Sequence, residues 1–297
     1  MSDTLEIMRR KIAGAEELQS VVRTMKALAA ASIGEYEGAV RSLAEYYRTV
    51  ELGLAVCLRA TSVWPTISLP PQREGAITGA IVFGSDQGLV GQFNEALSEF
   101  TVTALRNIRH EIVLWAVGER MDARLTDQGM PAAALFAVPN SVNAITPLVG
   151  QILAETEVQR SKGQLAEIYL FHNQPLAGAA YEPVSQRLLP LDEKWRSGLG
   201  EICWPSLNLP EVIGKTDATM GALIREYLFV SVFKACAESL ASENASRLAG
   251  MQRAERNIGE LLENLIRSFH QLRQTSIDEE LFDLVSGFEA LSHEARS

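Results

Sequence analysis

The sequence predicts an α/β protein in which both chain ends form long helices and the middle forms a Rossmann-like domain with a largely parallel sheet. Two observations carry this prediction. All 11 prolines of the 297-residue chain lie between Pro65 and Pro210, so both ends lack the residue that most strongly breaks helices. In the middle, strand-like apolar runs alternate with helical segments, which is typical of a parallel sheet. We therefore expect an N-terminal helix within 1–59, an α/β domain within 60–210 and a C-terminal helix within 211–297.

The N-terminal segment carries an apolar residue at every third or fourth position from Leu5, through Leu18, to Cys57. This is the pattern of an amphipathic helix, which we place at about 4–58. At about 1.5 Å per residue the helix spans roughly 80 Å, whereas a compact chain of this length has a radius of gyration of about 19 Å. The helix must therefore protrude, and its apolar stripe needs a partner.

The middle segment is predicted to alternate between strands and helices. Strands are expected at 76–83, 111–118, 133–138 and 167–172, with a closing edge strand at 183–191, and helices at 90–107, 120–128 and 142–161. The glycine-rich turn at 84–91 joins the first strand to a helix, and such turns can bind phosphate. It has neither the G-x-G-x-x-G spacing nor the Gly-Lys-Ser/Thr end of a nucleotide loop, so a structural turn is favoured.

The C-terminal segment is the most regular part of the chain. From Leu248 to Leu272 the steps alternate between three and four residues, which gives a heptad seam with one polar member, Glu255. The phase then slips, and a new apolar stripe runs over 277–291 without ending the helix. Thr216 or Asp217 is the expected N-cap. Because the middle domain joins the two helices, they are expected to pair antiparallel as a coiled coil.

Composition argues against several function classes. The formal net charge of −10 and a pI near 5.1 disfavour a nucleic-acid surface, which needs clustered Lys and Arg. Cys57, Cys203 and Cys236 lie far apart and are expected to be small buried hydrophobic residues rather than metal ligands or disulfides. No catalytic trio, metal motif or cofactor motif is present in the sequence, so we expect no catalytic residue, no cofactor and no metal. No apolar run is long enough to span a bilayer, and the start of the chain lacks a signal peptide, so a cytosolic chain beginning near Met1 is expected.

Three stretches together resemble a known family. The first two are 24–31 (TMKALAAA) and 84–94 (GSDQGLVGQFN). The third is a C-terminal run that comprises 225–227 (REY) and 238–251 (ESLASENASRLAGM), followed at the family's spacing by Asn257 and 273–281 (RQTSIDEEL). Over essentially the whole chain the layout is similar to the gamma subunit of F-type ATP synthase, in a divergent bacterial form.

The resemblance implies a rotor. The two terminal helices would form a shaft inside the α3β3 ring, and the α/β domain would form a foot that meets the epsilon subunit and the membrane c-ring. The chain would couple ion flow to ATP synthesis or hydrolysis without bond chemistry of its own, since the catalytic sites lie on the β subunits. It would be a peripheral protein on the cytoplasmic side of the bacterial membrane.

The resemblance also assigns ring contacts by position. Met25 falls near the β-subunit lever, and Arg247 on the shaft face that meets the ring. Arg273 and Gln274 match a polar pair that contacts a β-subunit loop, and Asp278 stands where the family has Thr.

Three further positions depart from the family pattern. Ser32 follows the Ala run where a basic residue is common, Gln87 replaces the Arg of the turn, and Val90 replaces its Cys. Such changes would alter torque contacts rather than the fold. The heptads by themselves equally fit an α/β binding domain with a coiled-coil dimerisation stalk and no ATPase partner. An enzyme that uses the 84–91 turn for a phosphorylated ligand is a third interpretation.

Overall fold

The computed structural model describes residues 2–60, 76–162, 165–176, 180–191, 193–208 and 210–294, with side chains described within these ranges except at 2, 3, 193, 194 and 287–294. The elements in chain order are α1 (Ser2–Ala60), β1 (Ile77–Phe83), α2 (Phe93–Leu105), β2 (Glu111–Val117), α3 (Glu119–Asp127), β3 (Ala134–Phe136), a 3₁₀ turn (Val142–Ala144), α4 (Ile145–Ser161), β4 (Leu165–Pro175), β5 (Tyr181–Leu189), α5 (Glu193–Glu201) and α6 (Thr216–Glu294). The chain divides into two compact units. The terminal unit comprises Met1–Leu28 and Leu248–Ser297, and the larger unit comprises Ala29–Arg247.

The two long terminal helices are confirmed. Helix α1 has 59 residues and α6 has 79, and α6 continues through the predicted phase slip without a break. The predicted N-cap is wrong by one residue, because the carbonyl oxygen of Lys215 already accepts the backbone N–H of Thr219. Lys215 is therefore the N-cap residue, and Thr216 and Asp217 lie in the first turn. There the negative Asp217 carboxylate interacts favourably with the positive end of the helix dipole.

In the terminal unit the two helices run antiparallel along the predicted seam. Met251 and Leu262 are buried, and the guanidinium of Arg9 lies 5.5 Å from the centre of the Phe269 ring. One prediction for α1 is wrong: Leu18, expected on the buried stripe, is 58% exposed, and its neighbour Gln19 is half-buried instead.

The larger unit holds a five-stranded sheet with the order β3-β2-β1-β4-β5. Strands β1 to β4 pair in parallel, and β5 pairs antiparallel with β4 at the edge, as expected. Every residue of the central strand β1 is buried, because helices cover both faces of the sheet. One face packs against α4 and α6 through residues such as Ile81 and Val232, and the other packs against α2 and α3 through residues such as Val82 and Met121.

Other expectations need correction or addition. Helix α5 was not predicted, and it packs against α1 and α6 in a cluster that includes Leu54, Leu199 and Tyr227. Cys57 and Cys236 are buried as expected, but Cys203 is exposed, because it follows α5 in a stretch whose side chains mostly face solvent. Among the described residues, no helix is both long and apolar enough to cross a membrane.

Candidate functional site

The turn after β1 is held rigid by its own polar side chains. The backbone N–H of Ser85 donates to Oδ1 of Asn94 at 3.1 Å, and Nδ2 of Asn94 donates to Oγ of Ser85 at 2.8 Å. The hydroxyl of Ser85 donates in turn to the carbonyl oxygen of Gln87 at 2.9 Å. A closed set of hydrogen bonds thus fixes the start of the turn.

Asp86 ties this turn to two neighbouring elements. Its Oδ1 accepts the backbone N–H of Glu119 at the start of α3, and its Oδ2 accepts the backbone N–H of Val138 after β3, both at 2.9 Å. A side chain at Gly84 would not fit, because a Cβ there would lie 2.3 Å from Cβ of Met121. The polar side chains of Ser85, Asp86 and Asn94 therefore bond within the protein, which supports the structural interpretation of the turn.

Helix α6 covers the place where Rossmann-like domains usually bind ligands. That place is the crevice at the carboxyl ends of the strands where the strand order reverses, here between β1 and β4. Ser239 donates its hydroxyl to the carbonyl oxygen of Phe83, the last residue of β1, and Ser242 donates to that of Asn173 in β4, each at 3.0 Å. Ser246 donates to the carbonyl oxygen of Val90 in the turn.

These three serines are buried and follow one another at spacings of three and four residues, so they form one face of α6. The segment ESLASENASR therefore forms the contact of α6 with the sheet. Helix α6 thereby occupies the crevice in which a nucleotide would bind. The spacing of the serines in the sequence could have predicted a polar helix face. It could not have predicted their acceptors, which lie more than 65 residues away along the chain.

The same part of α6 carries a buried carboxylate, Glu238, whose partners sequence analysis did not identify. Nε2 of His172 lies 2.8 Å from Oε2 of Glu238, with side chains only 5% and 8% exposed. Nζ of Lys234 lies 3.7 Å from the other carboxylate oxygen. His172 is thus part of the helix–sheet contact.

Arg247, a predicted ring contact, donates hydrogen bonds to two side chains of its own helix. Its Nη2 donates to Oε1 of Glu243 at 2.6 Å and its Nη1 to Oδ1 of Asn244 at 3.3 Å, and its side chain is 11% exposed. Burial raises the pKa of Glu243, although the nearby Arg247 opposes this effect. Burial likewise raises the pKa of Tyr36, on α1, to about 12, with a smaller contribution from nearby negative charge that includes Glu243.

The other four predicted contacts lie in the terminal unit. Met25 is half-buried, and Arg273, Gln274 and Asp278 are exposed. The last three lie within six residues of one another on α6, and Gln274 and Asp278 share a helix face. Met25, on α1, lies near the level of Glu255 on α6, because its neighbour Arg23 bonds to Glu255. Along α6, Glu255 and Arg273 are 18 residues apart, which is about 27 Å at 1.5 Å per residue. The structure therefore brings three of the five residues together.

The end of α6 extends beyond α1. Arg23 lies opposite Glu255 and Arg9 lies opposite Phe269, so the first residues of α1 lie opposite the segment just before Ile277. From there α6 continues to Glu294, and we call residues 277–294 its free end. Four large apolar side chains of the free end are exposed by more than half: Leu281 (55%), Phe282 (73%), Leu284 (71%) and Val285 (55%). Clustered exposed apolar side chains mark a surface that a partner covers.

Comparison with known proteins decides the family. The sequence profile of the family described as ATP synthase matches residues 4–291. The chain belongs to the ATP synthase gamma-chain family. Two similar relatives are the ATP synthase gamma chains of Pasteurella multocida (strain Pm70), 26% identical over 289 residues, and of Desulfitobacterium hafniense (strain DSM 10664 / DCB-2), 27% identical over 285 residues. Each alignment covers 96% of this chain and 98% of the relative.

Solved structures share the fold of this gamma chain. The OSCP/F1/c-ring structure of the Euglena gracilis mitochondrial ATP synthase holds a chain that aligns with a TM-score of 0.61 at 16% identity, covering 100% of this chain and 97% of that one. A chain of the Tetrahymena thermophila central stalk/c-ring structure aligns with a TM-score of 0.56 at 21% identity, covering 79% and 99%.

The family membership confirms the resemblance drawn from the three sequence stretches. The gamma chain is a central-stalk subunit of an ATP synthase, and the alternative of a self-pairing stalk without an ATPase partner is not favoured.

Proposed function

We propose that this gamma chain turns as a rotor inside an α3β3 ring and couples ion flow through the membrane sector to ATP synthesis or hydrolysis on the β subunits. Residues 1–59 and 211–297 form the shaft in this proposal. Residues 60–210 form the foot, which meets the epsilon subunit and the c-ring and holds the chain at the cytoplasmic face of the bacterial membrane. Structures described as a rotor and as a central stalk with c-ring are among those that share the fold, and they support this assembly.

The observation that carries the proposal is the exposed apolar free end of α6. Its side chains lie beyond the reach of α1, and Phe282 and Leu284 are each more than 70% exposed. Burial of apolar surface is the main favourable contribution to association, about 25 cal/mol for each Å² removed from water. A closed ring of subunits around this end would cover it on all sides.

Polar ring contacts are proposed next to this apolar end. Arg273 and Gln274 are exposed on α6, so they can reach a partner loop without breaking the helix pair. Each charge-assisted hydrogen bond contributes about 1.5–3 kcal/mol. Asp278 lies one turn beyond Gln274 and would face a donor of the same partner. Met25 would contact the β lever through its exposed part, and Arg247 would contribute least, since only 11% of its side chain is exposed.

The double substitution Arg273→Ala with Gln274→Ala tests these contacts. We expect weaker assembly with α and β, by tenfold or more, or lower ATPase turnover in the reconstituted complex, since about 1.4 kcal/mol corresponds to a factor of ten. The helicity of the isolated chain should stay nearly unchanged, because Ala is a good helix former.

Arg256→Ala with Arg267→Ala is the matched control, since both arginines are exposed and lie beside the seam. Unchanged assembly and turnover in the Arg273/Gln274 variant would reject the assigned contacts. The rotor assignment would stand in that case if the chain still purified with α and β.

A further inference from the structure

An apolar cavity lies between α4, α6 and the antiparallel edge of the sheet. Its volume is about 510 Å³, within the range of pockets that bind small molecules. Helix α4 contributes Leu153, helix α6 contributes Ile224 and Leu228, and the sheet contributes Ile168 of β4 and Leu189 of β5. All of these residues belong to the larger unit. Protein interiors rarely hold a void much larger than a water molecule, so a space of this size can take a ligand.

The cavity has small residues on both of its helical walls. Ala154 on α4 and Gly221 on α6 line it, and a Cβ at Gly221 would meet no atom nearer than Nη1 of Arg225, at 3.9 Å. The larger lining residues Leu153 and Leu228 are only half-buried, so part of their apolar surface stays in contact with water. Removing such surface from water is favourable, which favours an occupant with an apolar part.

Two arginines line the same cavity, and only one of them is paired. Nε and Nη2 of Arg160 donate to the two carboxylate oxygens of Glu157 at 2.8 and 2.7 Å, so this pair is neutral overall. Among the residues that the structure describes, no acidic side chain pairs with Arg225, whose Nη1 lies above Gly221. The described lining therefore carries one uncompensated positive charge next to an apolar wall. That combination matches an anion with an apolar tail and repels a cation.

We propose that this cavity binds a single-chain amphiphilic anion, namely a carboxylate with a linear apolar tail. The tail lies against Leu153, Ile168 and Leu228, and the carboxylate accepts hydrogen bonds from the guanidinium of Arg225. A guanidinium presents parallel N–H donors that match the two oxygens of a carboxylate, whereas a neutral apolar ligand would leave the arginine without a partner. The site lies wholly within the larger unit, and its occupation does not depend on the proposed rotor function.

Titration calorimetry of the full-length chain with decanoate tests for the site, with the ligand kept below the concentration at which it forms micelles. We expect saturable binding of one decanoate for each chain. Each buried methylene group gives about a fourfold gain in affinity, so octanoate should bind about 15 times more weakly. Absence of saturable decanoate binding, or an octanoate affinity within threefold of that of decanoate, overturns the inference.

Arg225→Gln tests the head group. We expect this change to weaken decanoate binding at least threefold, because the charge-assisted hydrogen bonds are lost, and to leave the binding of uncharged decanol within twofold. Arg253→Gln removes an exposed cation elsewhere on the same helix and should keep the decanoate affinity within twofold. A smaller loss in Arg225→Gln, or an equal loss for decanol and decanoate, overturns the inference.

A cavity-filling variant locates the binding, since exposed apolar side chains such as Phe282 could also take up decanoate. Ala154→Leu with Gly221→Leu places two side chains in the cavity and should weaken decanoate binding at least tenfold. Gly150→Leu with Ala222→Leu makes the same changes on the same two helices at exposed positions outside the lining, and should keep the affinity within threefold. Both variants should retain helix content, because Leu is a good helix former. Undiminished binding in the cavity-filling variant overturns the inference. If that variant loses helix content, Ala154→Trp decides by the same criterion.

Discussion

At the scale of single residues, Glu243 is a carboxylate that the larger unit buries with only one of its two oxygens hydrogen-bonded among the described residues. It is 5% exposed, its Oε1 accepts from Arg247, and its Oε2 has no hydrogen-bond partner among the described residues. Burial raises its pKa, and the negative charge of nearby Asp86 adds to the effect. A carboxyl group whose pKa is raised on folding stabilises the folded state at low pH. That contribution is lost as the pH rises from the unfolded value, near 4.5, through the folded value.

Glu243→Gln removes this titration while keeping the shape of the side chain. We expect the free energy of unfolding of the variant, relative to that of the natural chain, to increase as the pH rises above about 4.5 and to level off once the pH passes the raised pKa of Glu243 in the folded state. Urea unfolding at several pH values measures it. Glu260→Gln, at an exposed position of the same helix, should show no such trend. A relative stability of Glu243→Gln that falls with pH, or does not change, would contradict the assigned burial.

Residue-scale contacts were the part least accessible from the sequence. Glu255 was recognised as the polar member of the seam, but its partners depend on how α1 is rotated, which no single-helix pattern reports. The apolar spacing placed Leu18 on the buried stripe, whereas the structure exposes it and half-buries its neighbour Gln19 instead. Arg247 was identified from its motif, whereas its pairing with Glu243 became visible only in the structure.

At the scale of elements, local patterns predicted most of the fold because each element carries its own period. The four parallel strands and the helices between them lie within a few residues of the expected bounds. Helix α5 was missed because Gly198 and Gly200 lower its helix propensity, and its packing against α1 and α6 stabilises it instead. The serines of α6 that bond to β1 and β4 needed the tertiary arrangement to be interpreted.

The junction of β1 with its turn offers a matched pair of glycine substitutions. Gly84→Ala should lower the free energy of unfolding by about 1–3 kcal/mol, because its Cβ would overlap Cβ of Met121 at 2.3 Å. Gly150→Ala, within α4 and with nothing near its Cβ position, should raise it by up to about 1 kcal/mol. Urea unfolding of both variants measures the difference, and equal effects would contradict the packing at the turn.

At the scale of the whole molecule, the rotor function is inferred from the helix pair, the sequence motifs and the family match together, and not from any one helix or strand. Long proline-free ends predicted the helix pair, the motifs predicted the family, and the profile match over residues 4–291 confirmed it. Hydrogen bonds of Ser85, Asp86 and Asn94 hold the start of the turn at 84–91, and α6 bonds to the carboxyl ends of β1 and β4 at the sheet crevice. The apolar free end of α6 then remains as the surface that requires a partner.

Co-expression with the α and β subunits of the same organism tests the central claim most directly. The chain is purified through an affinity tag on β, and the mass and subunit ratio of the complex are measured. The account predicts one copy of the chain for every three α and three β subunits, with ATPase activity that depends on its presence. A chain that elutes alone or paired with itself, while α and β assemble without it, would contradict the account.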